Sequence, residues 1–91
     1  MARGWTFLSN HGHVLLVIAR DPQARLRDIA QRVGITERAA QVIVADLEAG
    51  GYVTKEKVGR RNYYVLAEGR RFRHPVEEGY SVDELLAIFR R

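Results

Sequence analysis

The chain has 91 residues, carries a formal charge of +4 at pH 7 and contains no cysteine. That length allows one small domain with a modest core, and the lack of thiols excludes disulfides, thiolate metal sites and cysteine nucleophiles. Residues 1–10 lack a secretory leader's pattern, and the longest apolar run, residues 14–19, is too short to cross a bilayer, so a cytoplasmic domain without membrane contact is expected.

Residues 10–20 read as a first helix, with Ser9 or Asn10 as its N-cap and Asp21-Pro22 as its stop. Its run Val14-Leu15-Leu16-Val17-Ile18 is apolar all the way round. Such a helix is covered on more than one side, and in a short chain the second cover is a terminal segment or another subunit. Residues 26–33 form a second, shorter helix, with Leu26, Ile29, Ala30 and Val33 on one stripe and Arg27, Asp28, Gln31 and Arg32 outside it. Gly34 stops it, because the left-handed residue that often ends a helix is cheapest as glycine. Thr36 is placed to cap a third helix that runs to Ala49, where Gly50-Gly51 ends it.

Residues 52–58 and 63–66 are rich in β-branched and aromatic side chains around Gly59-Arg60-Arg61-Asn62, which reads as a hairpin with those four residues at its tip. Residues 68–79 are polar, interrupted by Pro75, and read as irregular. A last helix, residues 81–90, opens on the capping-box pattern Ser81-Val82-Asp83-Glu84 and presents Leu85, Leu86, Ile88 and Phe89 as an apolar stripe. Repeats, low-complexity tracts and long linkers are absent, so residues 1–91 form a single domain.

Two short helices joined by a tight turn at Gly34 outline a helix-turn-helix. Ala30 is small where the helices cross, and Ile29, Val33, Ile35, Ala40 and Ile43 are apolar where such a unit faces its core. With the hairpin directly behind, residues 9–67 resemble the winged helix-turn-helix domains of small bacterial and archaeal transcription regulators of the MarR and ArsR types. The resemblance implies a mainly α fold of three helices with a small β-hairpin wing, to which this chain adds a C-terminal helix. It also implies a homodimer, a third helix that enters the major groove of double-stranded DNA, and a short strand at Arg25-Leu26 paired with the wing. The thiolate sensors typical of one branch of these families have no counterpart here.

At 100° per residue, Ala40, Ile43, Val44 and Leu47 cluster on the inner side of the third helix (36–49), while Arg38, Val42 and Ala45 centre the opposite face with Gln41 at its edge. Major-groove base edges are read by paired donors or by methyl contact. Arg38 can fork onto guanine, Gln41 can pair with adenine and Val42 can touch a thymine methyl. Thr36 and Glu37 sit at the N-terminal end, where Glu37 either accepts from cytosine or complements the helix dipole. Two bland readings stand beside these: a solvated surface arginine for Arg38, and a protein interface for Val42.

Charge supports an anionic partner. Residues 55–74 carry seven Lys/Arg against Glu56 and Glu68, whereas residues 75–91 carry four acids against two arginines. Basic clustering favours nucleic acid, or else a solubilising face. In the wing (52–66), Arg60, Arg61 and Asn62 at the tip are expected to meet phosphates or a narrowed minor groove, and Lys55 and Lys57, on one face, extend that track. One of Tyr63 and Tyr64 packs in the core.

Other constellations are thin. His11 and His13 do not share a helix face and His74 is distant, so neither a metal site nor a cofactor is expected, and no triad or phosphate loop suggests an enzyme. No polar constellation marks an effector site. Trp5, Phe7 and Leu8 at the start, with the apolar stripe at the end, exceed what the three-helix unit needs. They are read as a two-fold dimer interface on the first helix, or else as completion of a monomer core. The sequence therefore supports a dimeric, sequence-specific DNA-binding regulator. Its rival is a winged helix used as a protein adaptor, with RNA binding through the wing a weaker third.

Overall fold

A computed structural model describes residues 4–90. Its elements are α1 (Asn10–Arg20), α2 (Leu26–Val33), α3 (Glu37–Ala49), β1 (Val53–Val58), β2 (Arg61–Leu66) and α4 (Val82–Ile88). Each helix begins where local chemistry satisfies its first amides. Ser9 accepts the Gly12 N–H ahead of α1, and Thr36 Oγ1 accepts the Ala39 N–H at 3.0 Å ahead of α3. Asp28 reaches back to the Arg25 N–H at 3.1 Å, and Glu84 to the Ser81 N–H at 2.9 Å. Gly34 adopts φ 85°, so its own N–H and that of Ile35 both return to the Ala30 carbonyl. This closes α2 within one residue and sets the angle at which α3 departs.

The three helices pack on one another, and the hairpin seals their open end through contacts of β1 with α3 and of β2 with α1. Val14 and Ile18 of α1, Ile29 of α2, and Ala40, Val44 and Leu47 of α3 are all buried. Val53 and Tyr64 join them from the hairpin, and Val82 and Leu86 from α4. Tyr64 is thus the core tyrosine, while Tyr63 stays half-buried on the other face. The inner face of α3 matches the 100° wheel residue for residue.

Around the hairpin, two details differ from the sequence expectation. Among the described residues the sheet has two strands, because Leu26 begins α2 and Arg25 is its N-cap, held there by Asp28. The outer edge of β2 receives a single backbone bond, from Tyr64 N–H to the Pro22 carbonyl. The hairpin is also tighter than a four-residue tip. Val58 pairs with Arg61, leaving only Gly59 (φ 64°) and Arg60 in the turn, as in two-residue loops with glycine first. Arg61 and Asn62 belong to β2.

The segment between the wing and α4 is irregular, apart from a 3-10 turn at Pro75–Glu77 and a bridge between Arg71 and Ser81. It is nevertheless tied down. Arg70 donates to the Gly50 carbonyl at the end of α3 (3.0 Å), Tyr52 Oη donates to the Arg71 carbonyl (2.6 Å), and Asp83 accepts the Gly69 N–H (3.1 Å). The seven cations of residues 55–74 are therefore not one patch. Arg70 sits at the base of the hairpin, separated from Arg60 at its tip by about 20 Å of strand.

Helix α4 is shorter than the expected 81–90: it runs from Val82 to Ile88, with Phe89 as its C-cap. Only Val82 and Leu86 enter the core, whereas Ile88 is 63% exposed and Phe89 38%. Trp5 and Phe7, packed edge to face on each other, are 78% and 92% exposed. An apolar groove of about 440 Å³ opens between the N-terminal segment, α1 and α4, floored by Leu15, Leu47, Phe72 and Val82. No helix among the described residues is long and apolar enough to cross a membrane.

Candidate nucleic-acid interface

Alternation along the hairpin decides where each cation points. Directly paired residues share a face, so Lys55, Lys57, Asn62 and Tyr64 lie on the side of buried Val53. Arg61 and Tyr63 lie on the other side. The first face looks onto α3 across a groove of about 650 Å³. Gln41, Ala45 and Glu48 line its helix wall, Lys55, Asn62 and Tyr64 its wing wall, and Arg25 and the wing-tip arginines also border it. Four cations therefore surround one acid, Glu48. Burial, and then the negative charge of Glu48, raise the Tyr64 phenol above the ordinary tyrosine value, so Tyr64 remains neutral at physiological pH.

Of the residues singled out in the sequence, Gln41, Lys55, Arg60, Arg61 and Asn62 come together at this groove. Thr36, Glu37, Arg38, Val42 and Lys57 do not line it, although all five are exposed; Thr36 caps α3, and the other four belong to α3 and β1. Val42, at 56% exposure, sits near the centre of the outward face of α3, one turn after Arg38. Thr36 has a structural task as the α3 cap.

Arg60 and Arg61 are adjacent but differently employed. Arg60 is exposed in the two-residue turn. Arg61 is half-buried: its guanidinium donates to the Gln23 carbonyl in the α1–α2 loop and lies 5.4 Å from the centre of the Tyr63 ring. Its Nε is buried with no hydrogen-bond partner. Together with the Tyr64–Pro22 bond, this contact fastens β2 to the loop ahead of α2. Arg25, expected in a short strand, reaches the groove from the start of α2, well ahead in sequence of the wing residues that share it. A basic residue next to a helix start was the only sequence signal for it.

The histidines are engaged locally. His11 Nε2 lies 2.8 Å from Asp46 Oδ2, linking α1 to α3, His13 pairs with Asn10, and His74 Nδ1 accepts the Val76 N–H. Among the described residues no cluster of three or more His, Asp or Glu is placed to hold a metal ion.

Three helices, a two-stranded wing and an exposed helix face beside it define a winged helix-turn-helix. The chain belongs to the MarR family, whose family model matches residues 6–61. Among solved structures it resembles the zinc-dependent MarR family transcriptional regulator AdcR in its Zn(II)-bound state. That match has 17% sequence identity and a TM-score of 0.55, and covers 75% of this chain and 49% of AdcR. The likeness is one of fold, and this chain corresponds to about half of AdcR's length. No curated protein matches the chain.

Proposed function

We propose that this protein is a transcription regulator that binds double-stranded DNA in the cytoplasm as a homodimer, with α3 in the major groove and the wing on the adjacent backbone. One observation carries the reading: the groove between α3 and the wing, where Arg25, Lys55, Arg60 and Arg61 face a single acid. Cations that border one groove from the wing and from the start of α2, against the single acid Glu48, create a net positive potential, which suits a polyanion. Lys57 and Arg60, both exposed, extend toward phosphates, and α3 leaves Arg38, Gln41 and Val42 free for base edges.

The dimer is supported by the apolar side chains at both ends. Trp5, Phe7, Ile88 and Phe89 remain in water in a single copy, beside an apolar groove. A two-fold pairing through these segments would present two α3 helices to half-sites about one helical turn apart. Sedimentation should show a dimer at micromolar concentration, and a monomer alone would remove this part of the proposal.

Anisotropy of a labelled mixed-sequence duplex, titrated at several salt concentrations, tests the main reading. Log affinity should fall linearly with log salt, by about 0.9 for each phosphate engaged. A second reading, a winged helix used as a protein adaptor, is favoured by Val42 and by the acidic balance of α3. Failure to bind any duplex at low salt would select it.

A further inference from the structure

Between Arg38 and Asp46, the centre of the outward face of α3 is apolar where a DNA-reading helix is normally polar. Val42 and Ala45 are both exposed, separated by three residues and hence by about 4.5 Å along the axis and 60° around it. That spacing is close to one base-pair step, about 3.4 Å per strand. Arg38 lies one turn before Val42, and the Gln41 amide flanks it on the groove side.

The thymine methyl is the one apolar group that projects into the major groove; the groups that carry the rest of the base code there are donors and acceptors. A valine laid over a G·C pair would strip water from O6, N7 and N4 and return no hydrogen bond. Each group left unsatisfied costs roughly a factor of ten in affinity. Over an A·T pair the same side chain meets a methyl, and the adjacent glutamine amide matches the donor and acceptor pair of adenine. Shortness adds to this, because a side chain of three carbons and one of a single methyl let the helix backbone come close.

We propose that Val42 and Ala45 make the half-site selective for neighbouring A·T pairs through thymine methyl contact, with Arg38 placing a G·C pair on the side of the helix N-terminus. The inference rests on the DNA-binding reading and names the sequence class that this surface would take.

Thymine and uracil differ only in that methyl group, which gives a direct test. A randomised duplex pool is selected against the full chain, and the enriched duplex is remade with deoxyuridine in place of each thymine in turn. Wild-type protein should bind about fourfold more weakly for each methyl it touches, the factor expected for one buried methyl group, at one or two adjacent positions. Val42→Ala, an exposed substitution that favours the helix, should bind with an unchanged salt dependence and lose that discrimination at one of those positions.

Salt-dependent binding that is indifferent to uracil everywhere would overturn the inference and leave DNA binding intact. A uracil effect that persists fully in Val42→Ala would also overturn it, by assigning the effect to duplex shape. Enrichment of G·C pairs at the centre of the half-site would do the same. Absence of binding to any member of the pool at low salt would bring down the DNA reading itself and make Val42 a protein contact.

Discussion

α3 and the wing stand side by side with opposite charge. α3 carries one arginine against Glu37, Asp46 and Glu48, whereas the two strands and their turn carry Lys55, Lys57, Arg60 and Arg61 against Glu56. A single element that both attracted and read DNA would need its cations on the helix. Here they are on the hairpin, so the proposed DNA-binding reading implies a division of labour: attraction from the wing, and discrimination from the short, weakly charged side chains of the helix. The groove between them is where the two meet, with Glu48 as the one acid among the cations.

That contrast can be broken most forcefully at the wing. Replacing Lys55, Lys57 and Arg60 together by alanine should reduce duplex affinity on the order of a hundredfold at moderate salt. The log–log salt slope should become shallower by about 0.9 for each phosphate that is no longer neutralised. Circular dichroism should be unchanged, because none of the three is buried.

Arg61 sharpens the comparison by separating position from charge. Arg61 borders the groove and adds to its potential, but its guanidinium is already tied to the Gln23 carbonyl as a fastener of β2. Arg61→Ala should therefore lower affinity by about tenfold while leaving the salt slope, which counts neutralised phosphates, nearly intact. A slope shallower by about 0.9 would instead identify Arg61 as a phosphate ligand.

Smaller effects belong to the helix. Glu48→Gln removes the acid from the groove and should raise affinity by about two- to fivefold at low salt, an advantage that fades as salt screens it. Thr36→Ala deletes the α3 cap and should cost about 1 kcal/mol in a denaturant titration.

The helical part of the fold was legible because its boundaries are written in local chemistry. Ser9, Thr36 and the Ser81–Glu84 pair mark starts, Gly34 and Gly50 mark ends, and the inner face of α3 follows from its periodicity alone. What escaped was chemistry made by distant parts. Arg61 and Asn62 read as turn residues because they are polar, yet Arg61 is held in β2 by a carbonyl thirty-eight positions earlier. Gly59 in first place was a usable signal for the shorter loop. The strand expected at Arg25-Leu26 is absent because Asp28 turns that backbone into a helix start. The basic run of residues 55–74 looked like one field, and only the Arg70–Gly50 hydrogen bond reveals that it divides between the two ends of the hairpin.

The most direct test of the divided interface compares two variants on two probes: the alanine triple at Lys55, Lys57 and Arg60, and Val42→Ala, each titrated against the selected duplex and a mixed-sequence one. The wing variant should weaken binding to both probes alike and flatten the salt slope, while Val42→Ala should narrow the gap between the probes and keep the slope. If the wing variant instead erases sequence preference at constant slope, or Val42→Ala alters the slope, attraction and discrimination are not divided between these two elements.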